Sequence, residues 1–168
     1  MKIINFTLTR NNKINYFISQ MPDIYRTYDK PLIILPYNFI GLILTWYYFR
    51  KYEYYHTFKK TKEFFKKAGG TCVYEMPDIE TCFILMYKKH ELQVPYYLFH
   101  EMRHWYQQTH MKDFYRSSYI KDKDVKIHEN KILEKDADNF AKNMCKKLGM
   151  KFHKNTILAN KSYKNIKF

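Results

Sequence analysis

Cysteine is scarce in this chain, and its placement excludes two classes of protein. Cys72, Cys82 and Cys145 form no C-x-x-C pair, so a cysteine-based metal motif is ruled out. An odd number of thiols argues against a disulfide framework and fits a reducing compartment. Cys72 and Cys82 could face each other across a hairpin, but packing in the core is the better-supported role. No signal-peptide layout is expected at residues 3–8, whose apolar run is too short and too polar for the core of one. A cytoplasmic location is therefore expected. There is no internal repeat and no low-complexity linker. A chain of 168 residues is expected to form one domain with a sizeable core. Acidic residues stop at Asp138, whereas eight lysines lie between Lys142 and Lys167.

What the chain has in excess is positive charge and aromatic rings. The formal net charge is +14, with 17 Tyr and 13 Phe. Such a charge can serve an anionic partner, including nucleic acid. Abundant Lys, Asn, Ile, Tyr and Phe are also what an AT-rich genome produces without selection for binding, so nucleic acid is not the favoured partner. Residues 32–49 carry no charge and approach the length of a membrane span. Pro36, Asn38, Gly41 and Thr45 interrupt them. A buried strand at residues 31–36 and a core helix at residues 38–50, with Asn38 as N-cap, account for the stretch better than a span does.

The chemistry is concentrated in His100-Glu101-Met102-Arg103-His104, an H-E-x-x-H motif. Pro95 can open a helix there. On that helix the two histidines lie one turn apart on one face and can converge on a single metal ion. Glu101 sits about 100° round the helix and can reach a water on that ion. Neutral imidazoles suit Zn2+, the ion acidifies its water, and the carboxylate takes the proton.

A catalytic zinc site needs a third protein ligand and an open fourth position. Glu134 and Asp138, four apart in Ile132-Leu133-Glu134-Lys135-Asp136-Ala137-Asp138-Asn139-Phe140-Ala141, lie on one face of a second expected helix. Glu134 can be the ligand, and Asp138 can hold the outer nitrogen of a ligand histidine. His110 is a rival, at the spacing of H-E-x-x-H-x-x-G-x-x-H. That pattern needs a glycine to end the helix, and Gln107 stands there instead. A continuing helix carries His110 about 9 Å past His104 along the axis.

H-E-x-x-H followed by E-x-x-x-D resembles the gluzincin pattern of zinc metallopeptidases. The text of both segments is similar to the small ImmA/IrrE-type peptidases over about residues 70–148. The resemblance implies zinc ligands at His100, His104 and Glu134, with Glu101 as general base and Asp138 in the polar outer position. Arg103 departs from the glycine that family members often carry, which bears on substrate preference more than on metal. The resemblance also implies hydrolysis of a peptide bond in a specific protein. A regulator or DNA-associated protein is a plausible substrate, as members of that group act on transcriptional repressors.

The fold class expected is α+β. A short mixed sheet with a β-hairpin would pack on the H-E-x-x-H helix and the Glu134 helix. Residues 1–69 would supply further helices and strands, residues 70–148 the catalytic core, and residues 149–168 a basic extension packing in part through Phe152, Ile157 and Leu158. Within this frame residues 2–9 form a strand, 12–20 a turn of helix and 53–67 a helix. Residues 71–76 and 80–87 pair through Pro77-Asp78. Residues 112–124 form a loop, and 125–148 a helix capped by Gly149. Residues 80–87 would be an edge strand able to pair with extended substrate. Arg103, Tyr115, Tyr119 and His128 are candidates to stabilise the developing oxyanion, and the sequence does not choose among them. Two other classes remain open: a phage or mobile-element binding protein with a structural or vestigial zinc site, and a protein held to a membrane by residues 32–49.

Overall fold

In the computed structural model the chain is an α+β protein, mostly helical, with two small sheets. Residues 2–26, 31–51, 57–67, 73–75, 82–86, 91–125, 131–153, 156–159 and 161–166 are described. Strands β1 (Ile3–Asn5), β2 (Leu32–Pro36), β3 (Val73–Glu75) and β4 (Cys82–Met86) form one sheet in the order β1-β2-β4-β3. β1 and β4 both run parallel to β2, and β3 is antiparallel to β4. β4 is therefore interior, and the edge beside it is β3. This corrects the expectation that residues 80–87 supply the edge, because β2 takes the second side of β4 in full register from Leu32↔Cys82 to Pro36↔Met86. The Pro77-Asp78 connection, Cys72 and Gly69-Gly70 lie outside the described residues.

β2 explains its own sequence. A strand covered on both faces loses the apolar-polar alternation and reads as a continuous apolar run. Leu32, Ile33, Ile34 and Leu35 are all fully buried. Leu32 and Ile34 join the main core with helix α1 (Asn11–Ser19), helix α4 (Val94–His110) and helix α6 (Ile132–Lys147). Ile33 and Leu35 point to the opposite face. On β2 also packs helix α2 (Phe39–Lys51), followed by helix α3 (Phe58–Lys67).

Asn38 caps α2 as expected, its Oδ1 accepting from the Gly41 amide at 3.0 Å. Gly41 itself is dictated by a close approach: an added Cβ would stand 1.6 Å from the Pro36 carbonyl oxygen. Leu42, Thr45, Tyr48 and Phe49 are buried, while Phe39, Ile40, Ile43 and Tyr47 are exposed. The helix thus buries one face and leaves the other open, where wholesale burial was expected. Among the described residues no helix is long and apolar enough to cross a membrane.

Residues 112–122, expected as loop, form helix α5 (Lys112–Asp122). Its apolar periodicity is weak, and two serines and two tyrosines lower its intrinsic preference. Packing supplies what propensity does not: Ser118 is buried, and the helix rests on α4 and α6. α6 begins at Ile132, after an extended Lys131 (φ −63°, ψ 143°), not at Val125. Its end is as expected. Gly149 has φ 81° and its amide donates to the Lys146 carbonyl at 2.9 Å, the glycine C-cap pattern. The described part of the basic C-terminal stretch is folded. Strands β5 (Met150–His153) and β6 (Thr156–Ala159) pair antiparallel, and helix α7 (Lys161–Lys164) follows. Met150 and Tyr163 are buried in the main core, with Phe152 and Ile157 packed against it, while Leu158 is exposed.

Candidate metal centre

α4 and α6 build the site between them. Their contacts run in opposite directions, Tyr96 with Asp138, His100 and His104 with Glu134, Gln107 with Leu133, so the helices are antiparallel. Ala137 and Ala141 of α6 are both fully buried.

His100, His104 and Glu134 meet there and form a group able to hold a metal ion. The Nε2 atoms of the two histidines are 3.1 Å apart. Glu134 Oε2 is 3.3 Å from His100 Nε2, and Oε1 is 3.4 Å from His104 Nε2. Donors at about 2.0–2.2 Å from a tetrahedral ion are about 3.3–3.6 Å from one another. The two Glu134 contacts, made through different oxygens, fall in that range, and the imidazole nitrogens at 3.1 Å would move slightly apart around an ion. Each side chain keeps 15–19% of its surface exposed, so the cluster opens to one side. Glu101 is only 5% exposed. Its charge acts on His104 together with that of Glu134. Burial works against protonation of His104, but the hydrogen bond to Glu134 and the two carboxylate charges outweigh it, and the pKa is raised.

His110 does not belong to this group. α4 continues through Gln107, and the exposed His110 stacks on Tyr106 with ring centres 4.9 Å apart. Arg103 turns to α6. Its Nε and Nη2 donate to the Asp136 carboxylate at 2.7 and 3.1 Å, and Nη1 to the Tyr25 hydroxyl at 3.3 Å. Its guanidinium also lies over the rings of Tyr106 and Phe140. Asp138 accepts from the Tyr96 hydroxyl and pairs with Lys142, and among the described residues no hydrogen bond joins it to a histidine. Tyr119 is exposed on α5 and stacks on Tyr115. His128 lies outside the described residues.

Sequence reasoning passed over three residues. Gln107 is fully buried, and its Oε1 lies 2.9 Å from His104 Nδ1. Asp136 joins Gln107 to Arg103. Burial would raise the Asp136 pKa, but hydrogen bonds from Arg103 and Gln107 outweigh it and hold the carboxyl below its usual value. Tyr96, one turn before His100, has its hydroxyl pKa raised by burial and by the bond to Asp138. The available signal for Gln107 was a polar residue on the buried side of an apolar helix. No protein-family model, curated protein or solved structure matches the chain.

Proposed function

We propose that this chain is a zinc-dependent metallopeptidase of the gluzincin type, with a zincin-like core made by the sheet, α4 and α6. The observation that carries the reading is the His100–His104–Glu134 triangle at 3.1–3.4 Å with a buried glutamate next to it in sequence. Two imidazoles and one carboxylate with an open side suit catalytic Zn2+. Zinc bound there would lower the pKa of a water and polarise a carbonyl. His100, His104 and Glu134 would hold the ion. Glu101 takes the proton from the attacking water and delivers it to the leaving amine.

The substrate is a protein segment in extended form. Among the described residues β3 ends the sheet, and it packs near α4, so its outer edge would offer main-chain groups for a peptide to pair with. The positive charge favours a substrate already seated on DNA, such as a cytoplasmic regulator. Metal analysis of the purified protein beside Glu101→Gln tests the assignment. Zinc should be retained in the variant, and its effect in cells should be lost. A Glu101→Gln chain with full cellular effect would replace the peptidase by a binding protein acting through its basic surface.

A further inference from the structure

We propose that Gln107 sets the tautomer of His104, with the Arg103–Asp136 ion pair anchoring it, and so turns the unprotonated Nε2 of that ring toward the metal. The inference rests on the metal-site reading above for its purpose, and on hydrogen-bond chemistry alone for its content. Arginine only donates, and an ionised carboxylate only accepts. Arg103 therefore fixes Asp136 as the acceptor. The Gln107 nitrogen sits 2.7 Å from Asp136 Oδ2 and 3.0 Å from the Leu133 carbonyl oxygen. Both partners accept, so this atom is the amide NH2, with both hydrogens used. The remaining Gln107 atom is the carbonyl oxygen, 2.9 Å from His104 Nδ1. An oxygen accepts, so Nδ1 carries the proton. In the neutral ring Nε2 is then the bare nitrogen, and it is the atom that faces His100 and Glu134.

The amide cannot flip without setting its oxygen against Asp136 and the Leu133 carbonyl and its NH2 against Nδ1–H. Full burial of Gln107 leaves no water to absorb that cost. The chain of constraints also assigns a purpose to Arg103 within the motif. It is a positioning residue for the metal ligand next to it, working through α6. His100 has no equivalent: its Nδ1 is buried with no hydrogen-bond partner among the described residues.

The test is histidine 15N NMR of the full chain, metal-free, at a pH where His104 is neutral, alongside zinc competition with a chromophoric chelator. The wild-type ring should be the Nδ1–H tautomer. Gln107→Met, similar in length and without the amide, should lose that preference and raise the zinc dissociation constant about 10- to 100-fold. Neutral wild-type His104 protonated at Nε2 overturns the proposal, and this result needs no variant to fold. An unchanged tautomer and unchanged zinc affinity in Gln107→Met overturn it as well. Wild-type protein that shows the Nδ1–H tautomer but takes up no zinc defeats the metal-site reading and leaves the tautomer assignment standing.

Discussion

The two flanks of the metal cluster are built differently. On the His104 side, a buried amide, a carboxylate, a guanidinium and the Tyr25 hydroxyl form an unbroken line of hydrogen bonds from α4 through α6 to the turn at Asp23–Tyr25. On the His100 side, the nearest polar groups are spent on one another: Tyr96 donates to Asp138, which also pairs with Lys142. His100 Nδ1 is buried with no hydrogen-bond partner among the described residues. Helical period alone treats the two histidines as equivalent. Their outer partners come from other segments of the chain, so equal spacing does not imply equal support.

The largest effects should come from the ligands, which both flanks share. The wild-type chain should carry about one zinc, and His104→Ala or Glu134→Ala should lose it, because two ligands hold the ion poorly. His110→Ala should keep it. Metal analysis that found the reverse would remove the cluster from consideration. Next is Glu101→Gln, which should retain zinc while turnover falls by about 10²-fold or more, measured on whatever substrate a cellular assay identifies.

Cutting the His104 flank should cost stability. Asp136→Ala strands the half-buried Arg103 and one Gln107 donor, and urea unfolding of the metal-free protein should show a loss of about 3 kcal/mol. The same carboxylate gives a pH signature. Its folded pKa is depressed below the usual 3.8, so its stabilisation is complete well above that value and disappears as pH falls through the folded pKa. Metal-free wild type should therefore lose more stability between pH about 5 and pH about 2 than Asp136→Asn does. Equal acid sensitivity in the two would place the titrating group elsewhere.

The smallest effect belongs to the His100 flank. Tyr96→Phe removes one hydrogen bond from a carboxylate that keeps Lys142, so a loss of about 1 kcal/mol is expected. Zinc affinity should change less than in Gln107→Met. A larger change in Tyr96→Phe than in Gln107→Met would invert the comparison and make Asp138 the important outer partner.

Much of the fold could be read in advance where a single segment carries its own signal. The uncharged run at 32–49 divides into a strand and a helix at Pro36 and Asn38, and the cap bond forms as the side chain suggests. The two β-rich runs pair antiparallel. α5 was missed because its helix-forming signal is weak and its burial comes from α4 and α6. The position of β4 was misjudged because strand order depends on which partners arrive from far along the chain, and β2 fills the side that looked free.

The sequence by itself determined that His100 and His104 would share a face, that Glu101 would stand beside them, and that a carboxylate at Glu134 was available on a second helix. Those are consequences of a 3.6-residue period and need no neighbour. Only the tertiary structure decided that Glu134 lies within 3.4 Å of both imidazoles, that Arg103 is spent on Asp136, and that Gln107 stands behind His104 while Asp138 turns to Tyr96 and Lys142. Each of these joins residues 30 to 42 positions apart, apart from the local Gln107 and Lys142 contacts. Which donor meets which acceptor across such a separation is settled by how α4 and α6 pack, and by the cost of leaving any one of those buried polar atoms unpaired.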